Sequence, residues 1–384
     1  TISTARITTG INTSIQVGGG VTISESGIEA SGIGITCANI NGSQIGGRRN
    51  LIINGACRVN QRGSTGQPVS GYGYGVDRLR GYNSGSARYD LTQATVTDLP
   101  GFSKAYKLEV TTAQSTYSGN TISVPIETVL EGQDIAHLNF GTSNAKNIII
   151  SFYVKSSVTG SFACAVFNGN SIDRVNVKDF TINSANTWEY KTISFVGDTG
   201  GTWRTDTTQG LYVALASAGS ADSAVTTAGT WQGGGYKNRT SNSANLFATN
   251  GATIQFTGLQ LEAGTQATTF EQRSFAEDLA LCMRYFEKVV CHSYPMAPAG
   301  NNGVNSETRI PYKVEKRSAP TVTVSGNLSL TLNGTNSNNT DHSLGGGNTT
   351  AALYGIHVFA VISGANYTSS TMVNNAIFLC TCEL

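Results

Sequence analysis

Two groups of residues in this sequence have side chains of the kinds that bind sugars. An aromatic ring can stack on the apolar face of a sugar ring, while amide, carboxylate and imidazole groups can pair with its hydroxyls. The first group lies in a glycine-rich stretch and comprises Tyr72, Tyr74 and Tyr82. The second lies near the end of the sequence and comprises Asn338, Asn339, Asp341, His342, Asn366 and Tyr367. Because loops carry function more often than the strands that hold them, we expect the second group to be the main ligand contact.

Residues suited to catalysis or metal binding are sparse. A glycosidase needs two carboxylates about 5 to 9.5 Å apart, and the densest acidic cluster is Glu127, Glu131 and Asp134. No nucleophile elbow, phosphate-binding loop, dinucleotide fingerprint or HExxH motif occurs. The 7 cysteines have no regular spacing, which favours buried thiols over a disulfide framework or a zinc site. We therefore predict a protein that is not an enzyme and that has no cofactor and no metal site.

Composition favours an all-β protein and sets other classes aside. The 384 residues include 45 glycines, and charged residues make up only 13%, a balance typical of short strands joined by tight turns. The net charge of +1 comes with no basic run, so we expect no nucleic-acid partner. We find no stretch with the pattern of a membrane span or a signal peptide. Since the sequence starts at Thr1 without Met, we expect a fragment of a longer chain.

Residues 1–48 predict an N-terminal β shaft. Isoleucine and valine recur among Gly, Ser, Thr and Asn, with local alternation in SIQV and VTI. Strands this short bury too little apolar surface to form a core within one chain. Three copies wound together would share an apolar axis and cover one another's strand edges. A flexible glycine-rich linker is the alternative interpretation of this segment.

Residues 49–273 predict a jelly-roll β-sandwich. Alternating or apolar runs such as NTISVPIETV, NIIISFYVKS, WEYKTISFV and GLYVALAS recur between turn signals rich in Gly, Asn and Asp. This pattern is typical of two facing antiparallel sheets. Gly258 interrupts the last of these strands, ATIQFTGLQLE, and indicates a bulge or a close backbone approach.

Residues 274–291 predict a helix that clamps three chains together. Ser274 and Glu277 form a capping box, so the helix should begin at Phe275. Apolar residues then follow at spacings close to a heptad seam, and we expect them to form the trimer contact: Phe275, Leu279, Met283, Phe286 and Val290. The alternative is an amphipathic helix that lies on its own domain, because fewer than three heptads do not decide between the two.

Residues 292–384 predict a C-terminal β tip domain. A connector over 292–305 should lead into strands in RIPYKV, in the segment after Pro320 and in NLSLTL. A polar loop over 333–350 should precede two strongly apolar strands, YGIHVFAVIS and AIFLCTCEL, whose continuous apolarity indicates burial on both faces.

One block of the sequence carries a resemblance to a known family. The segment TGLQLEAGTQATTFEQRSFAEDLALCMRYFE, at 257–287, resembles a recurring block of tail fibres and other receptor-binding proteins of tailed bacteriophages. Shorter pieces extend the resemblance over residues 50–288, among them NLIINGACRVNQRG, DRLRGY and the EGQD turn that contains Glu131. It departs at Val59, Asn60 and Leu79, where relatives usually carry an aromatic residue.

The resemblance implies a trimeric, non-enzymatic fibre protein of a phage virion. Its shaft would attach to other tail proteins through the N-terminus, and its distal β domains would contact a host surface glycan or an outer-membrane receptor. Two alternatives stay open. One is a glycan-degrading spike, and the other is an architectural fibre or adaptor that binds only viral proteins.

Overall fold

The protein is all-β, with two β units joined by a short helix. The computed structural model describes residues 14–17, 21–24, 27–30, 48–63, 67–68, 70–169, 173–234, 237–296, 305–325, 329–332, 335–337, 342–344, 354–361 and 370–384. Strands dominate these residues, as the sequence predicts.

Three short strands lie in the predicted shaft: β1 (Ser14–Val17), β2 (Val21–Ser24) and β3 (Gly27–Ala30). They pair in sequence order as an antiparallel meander, and Ile23 is opposite both Ile15 and Ile28. The strand prediction for this segment is confirmed, while intertwining with other copies stays a prediction. The remaining residues before Arg48 lie outside the described part of the chain.

The jelly-roll body holds two facing sheets. Its strands before the first helix are β4 (Gln67–Pro68), β5 (Gly71–Val76), β6 (Leu79–Asn83), β7 (Arg88–Thr95), β8 (Lys104–Thr112) and β9 (Ile122–Glu131). A helical turn follows, α1 (Gly132–Ile135), with a 3-10 turn at Ala136–Leu138. The later strands are β10 (Ile148–Ser156), β11 (Gly160–Asn168), β12 (Arg174–Ile182), β13 (Glu189–Phe195), β14 (Gln209–Leu215), β15 (Ala218–Gly219), β16 (Gln232–Gly233) and β17 (Thr253–Ala263).

Strand order defines a smaller and a larger sheet. The smaller sheet runs β13-β10-β17-β8-β7-β4, and the larger runs β16-β12-β11-β14-β9-β6-β5, with β15 added beside β9. All of the strand pairs in both sheets are antiparallel. Two 3-10 turns, Ala221–Ser223 and Leu246–Ala248, lie in the connections.

The main core lies between the two sheets. On β10 the alternate residues Ile148, Ile150, Phe152 and Val154 are fully buried, and they belong to the same core cluster as Val166 of the other sheet. Fully burying one large apolar side chain contributes about 1.5–3 kcal/mol. Trp203 and Trp231 pack against this cluster. The predicted sandwich is confirmed.

The helix α2 (Phe275–Met283) begins where the capping box predicts, because the Ser274 hydroxyl accepts a hydrogen bond from the Glu277 N–H. It ends seven residues early. Phe286 and Val290 lie on strand β18 (Phe286–Met296), and the seam predicted to continue to Val290 is therefore wrong beyond Met283. Bulky aromatic and β-branched residues after Arg284 fit a strand better than a helix. The segment forms a strand and not a helix because it pairs with the long apolar strand over Ser370–Thr381.

The C-terminal unit begins at Phe286, six residues before the predicted boundary. Its remaining strands are β19 (Asn305–Pro311), β20 (Thr321–Ser325), β21 (Ser329–Leu332), β22 (Thr335–Ser337), β23 (His342–Leu344), β24 (Gly355–Val361) and β25 (Ser370–Thr381). The strand β25 pairs with β18, β20 and β21, while β24 pairs with β19 and β23. The predicted connector over 292–305 is wrong up to Met296, where β18 ends.

Candidate functional site

The tyrosines of the glycine-rich stretch lie on the outer face of the larger sheet, where the C-terminal unit docks. Here we define a seam cluster: Arg62, Tyr72, Tyr74, Asp77, Arg78, Arg80, Tyr82, Glu127, Tyr285, Phe286 and Glu383. Strands β5 and β6 place Tyr72 opposite Tyr82 and Tyr74 opposite Arg80. The two units are thus joined through charged groups and rings.

A buried ion pair stands at the centre of the seam cluster. Arg80 Nε and Nη2 donate to Glu127 Oε1 at 2.9 and 2.6 Å, and both residues are 6% exposed. Burial raises the pKa of Glu127, although Arg80 opposes the shift. The guanidinium also lies 4.1 Å from the ring centre of Tyr72 and donates to the carbonyl of Leu384. One arginine therefore ties strand β6 to the last residues of the sequence.

A second arginine lies between two rings. The Arg62 guanidinium is 4.2 Å from the ring centre of Tyr74 and 3.7 Å from that of Phe286. It pairs with Asp77 at 3.2 Å and with Glu383 at 2.9 Å. Burial raises the pKa of Asp77 to about 6 despite the attraction of Arg62. Tyr74, a predicted ligand contact, is consequently half-buried, with a cation on its ring.

Tyr72 differs from Tyr74 in its exposure. It is 57% exposed, and its ring centre lies 4.6 Å from that of Tyr82. The structure thus brings the predicted tyrosines together, and Tyr72 is the one that keeps most of its surface in solvent.

The acidic cluster considered for sugar cleavage is held by arginines. Glu131 is fully buried and accepts hydrogen bonds from Arg284 Nε at 2.8 Å and from the Tyr285 hydroxyl at 2.6 Å. Glu127 is held by Arg80. Asp134 lies beyond them at the helical turn α1, where partial desolvation of its carboxyl and the charge of Glu131 raise its pKa although the residue as a whole is exposed. The contacts give Glu127 and Glu131 a structural role.

The outer face of the smaller sheet carries a different group of rings. We name it the ring ladder and define it by Tyr190, Tyr153, Phe102 and Phe270. Successive ring centres are 5.0 Å apart from Tyr190 to Tyr153, and 5.3 Å apart in each of the next two steps. Tyr190 is 46% exposed, and the other three are half-buried. The ladder crosses the sheet as a nearly continuous aromatic strip.

A glycine makes room for the ladder. Gly258 has φ +63°, and a Cβ built there would lie 2.9 Å from Phe102 and 3.1 Å from Tyr153. It sits where the pairing of β10 with β17 shifts register between Ser151 and Tyr153. The predicted bulge at Gly258 is confirmed, while the atoms that approach this glycine closely belong to the side chains of Phe102 and Tyr153 and not to the backbone. Any larger residue here would strain the backbone and displace the rings.

Polar groups flank the ladder. Beside Tyr190, the indole N–H of Trp188 and the ammonium of Lys155 donate to Asp98 at 2.8 and 2.6 Å. The Lys155 hydrogen bond, followed by that of Trp188, lowers the pKa of Asp98. At the other end Phe102 borders an open pocket of about 300 Å³, to which Arg58 and Gln272 contribute. The strip therefore combines apolar faces with hydrogen-bonding groups along its sides.

Most of the second predicted group lies outside the described residues, namely Asn338, Asn339, Asp341, Asn366 and Tyr367. His342 begins strand β23, but its side chain is not among those described. Among the described side chains, five cysteines are free and buried, as predicted: Cys57, Cys164, Cys282, Cys380 and Cys382. Within the described ranges no cluster of three His, Cys, Asp or Glu side chains could hold a metal ion, and no helix is long and apolar enough to cross a membrane.

Of the predicted trimer contacts, three lie on α2 and two on β18. Phe275 is 52% exposed, Leu279 is half-buried and Met283 is 8% exposed. On the strand, Phe286 is 4% exposed and stacks on Arg62, whereas Val290 is 44% exposed. The five side chains therefore do not share one face.

Sequence reasoning missed the ring ladder. A signal exists in NIIISFYVKS, because alternation that buries Phe152 and Val154 places Tyr153 on the opposite face. The same alternation exposes Tyr190 beside the buried Ile193 and Phe195. Phe102 and Phe270 come from loops, and no local pattern connects them to the strand residues.

Comparisons with known proteins gave distant likenesses among solved structures. No known protein family and no curated protein sequence matches the chain. The enzymatically active domain of tailspike protein 4 from bacteriophage CBA120 has a TM-score of 0.30 and 12% identity, over 56% of this chain and 21% of that one. A family 61 carbohydrate-binding module, solved with β-1,4-galactotriose, has a TM-score of 0.28 and 9% identity, over 56% and 99%. A family 11 module from Clostridium thermocellum has a TM-score of 0.26 and 14% identity, over 54% and 100%.

Proposed function

We propose that this chain is a non-enzymatic part of a tailed-bacteriophage fibre that binds a host surface glycan. The observation that carries the glycan assignment is the ring ladder, whose rings follow one another at 5.0–5.3 Å across an open sheet face. The virion assignment is supported by the sequence resemblance over residues 50–288, which includes the strand and bulge that shape the ladder.

The ladder has the physical properties that a glycan site needs. Aromatic faces offer a large apolar contact area with little side-chain entropy to lose, and a sugar presents a matching apolar face. Trp188, Asp98 and Lys155 form a hydrogen-bonded set beside Tyr190, so ligand hydroxyls would meet groups held in place. Contacts of this kind are individually weak, and several copies on one particle would raise the avidity without new contacts.

A binding role fits the acidic residues better than cleavage does. Catalysis by two carboxylates requires that one of them donate or accept a proton at the scissile bond. Glu131 is instead held by Arg284 and Tyr285, and Glu127 by Arg80. We expect no release of reducing sugar from any polysaccharide that the protein binds. Release at a rate that depends on Glu127 would contradict this part of the proposal.

We further propose that the chain works as a homotrimer, with its N-terminal segment joined to other tail proteins. The strands β1 to β3 have four residues each, a length too short to form a core within one chain, and Phe275 leaves an exposed ring on α2. Light scattering of the intact protein should give a mass near three times 40.3 kDa. A monomer would contradict the trimer and would leave the ring ladder to act as a single site.

A glycan array probed with the labelled full chain tests the proposed function. We expect retention on a subset of host surface glycans, and a loss of roughly tenfold or more in affinity for Tyr190→Ala, since exposed aromatic anchors dominate binding energy. Tyr354→Ala is the matched control, because Tyr354 is 59% exposed and lies in the C-terminal unit. No retention by any variant, or equal retention by Tyr190→Ala, would contradict the ladder as the site.

A further inference from the structure

A second pocket lies where the jelly roll meets the C-terminal unit. It is open to solvent, has a volume of about 240 Å³, and includes Arg204, Thr208 and Gln209 from the body with Arg317 and Glu383 from the other unit. It lies on the larger sheet's side of the molecule, away from the ring ladder. Both units contribute a guanidinium group to its wall.

The Glu383 side-chain carboxylate in this wall is already neutralised, and the main-chain oxygen of Leu384, which also lines the pocket, accepts a hydrogen bond from Arg80. Glu383 Oε1 pairs with Arg62 at 2.9 Å, and Oε2 pairs with Arg78 at 2.5 Å. Burial works against ionisation, but the charges of Arg78 and Arg62 outweigh it and hold the pKa of Glu383 below its usual value. Glu383 is therefore an anion with its own partners, and it offers little charge to Arg204 or Arg317.

The two pocket arginines lack a comparable partner. Arg317 donates to the carbonyls of Cys382, Thr207 and Glu383 at 2.9 to 3.2 Å, which are neutral acceptors. The nearest ion pair of Arg204 is with Asp206 at 4.0 Å, and its side chain is 45% exposed. Among the described residues, neither guanidinium has a carboxylate within normal hydrogen-bond distance. The pocket carries unneutralised positive charge.

We propose that this pocket binds the anionic group of an acidic saccharide residue, either a uronate carboxylate or a sugar phosphate ester. A planar guanidinium matches both groups by paired hydrogen bonds. Pockets for drug-sized ligands span about 300–1,000 Å³, so the smaller volume here suits one sugar residue. Thr208 and Gln209, which also line the pocket, supply polar groups for ring hydroxyls.

Calorimetric titration of the full chain with four probes tests this site: glucuronate, glucose 6-phosphate, glucose and inorganic phosphate. We expect one or both acidic sugars to bind, and to bind more tightly than glucose or inorganic phosphate. Arg204→Gln should weaken the acidic sugar by roughly tenfold, the usual value of one charge-assisted contact, and Arg204→Lys should recover part of it. Which acidic sugar binds identifies the anionic group.

Two further variants show whether acidic-sugar binding depends on this pocket alone. Lys107→Gln removes one positive charge from the opposite sheet, where Lys107 pairs with Glu109, and should leave binding unchanged. Tyr190→Ala should also leave it unchanged, so that failure of the ring ladder and failure of this pocket are distinguishable. The inference is overturned if no acidic sugar binds, if glucose or inorganic phosphate binds as well, or if Arg204→Gln has no effect.

Discussion

The two aromatic groups of the jelly roll occupy opposite outer faces and differ in what covers them. In the seam cluster, Arg62 lies between Tyr74 and Phe286, and Arg80 lies against Tyr72. In the ring ladder, rings contact rings, and Tyr190 leaves nearly half of its surface in solvent. In the seam cluster a guanidinium lies against the rings of Tyr74 and Tyr72, although Tyr72 keeps 57% of its surface in solvent, whereas in the ring ladder the ring contacts are with other rings. Aromatic content alone therefore does not distinguish the joint between the two units from an outer sheet face that carries only rings.

Charge burial makes the same distinction. The seam cluster holds Arg80, Glu127, Asp77 and Glu383 almost out of solvent, each with an opposite charge nearby. Such pairs contribute modestly as pairs, but removing one partner leaves an uncompensated charge. Around the ladder the charged pair Lys155–Asp98 is partly exposed, with Asp98 half in solvent, and contributes little to stability. Mutations in the seam cluster should consequently change folding stability, whereas mutations in the ring ladder should change binding.

The largest effect is expected in the seam cluster. Arg80→Met leaves the buried Glu127 without its partner, and we expect the free energy of unfolding to fall by roughly 3–5 kcal/mol in urea titrations. The double variant Arg80→Met, Glu127→Leu should regain most of this loss, because neither charge then remains. Lys107→Met, at an exposed pair, should change stability by less than about 1 kcal/mol. Equal losses at Arg80 and Lys107 would refute the contrast.

The next effect depends on pH. The pKa of Asp77 is raised from 3.8 to about 6, so between these values the folded chain binds more protons than the unfolded chain. The free energy of unfolding therefore falls as pH rises through this window. Asp77→Asn cannot ionise, and relative to wild type it should gain about 3 kcal/mol between about pH 3 and about pH 7. If denaturation curves give the same difference in free energy of unfolding between Asp77→Asn and wild type at every pH, the assigned burial of Asp77 is contradicted.

An effect on both stability and binding is expected at Gly258. Both Gly258 and Gly251 have positive φ, yet a Cβ at Gly251 meets open space, whereas one at Gly258 meets Phe102. Gly251→Ala should cost roughly 1–2 kcal/mol from backbone strain alone. Gly258→Ala should cost roughly 1–3 kcal/mol more, from the displaced rings, and should weaken glycan retention. If the two variants lose stability equally and both retain glycan, the ladder is not shaped by this glycine.

Local patterns predicted the elements well. The alternation in NIIISFYVKS specified which face of β10 is buried, the capping box specified where α2 begins, and Gly258 specified the bulge. Each of these features depends on residues close in sequence. The end of α2 was missed because its last predicted turns instead pair with β25, whose residues lie about ninety positions further along the chain.

The candidate sites were harder to predict, because they depend on distant contacts. Arg78 and Glu383 are 305 positions apart, and no pattern in either segment indicates the pair. Tyr72 and Tyr74 were identified by type, but only their surroundings show that Arg62 covers one of them. The ring ladder combines Phe102, Tyr153, Tyr190 and Phe270 from separate segments. The sequence therefore shows that these aromatic residues are present but not that they lie next to one another.

The most direct test of the central claim compares the two faces in one binding measurement. Glycan affinity of the full chain would be measured for Tyr190→Ala and for Tyr72→Ala, both of which remove an exposed tyrosine. We predict a loss of roughly tenfold or more for Tyr190→Ala and a change within about twofold for Tyr72→Ala. A large loss for Tyr72→Ala with full binding by Tyr190→Ala would show that the seam cluster, and not the ring ladder, binds the glycan.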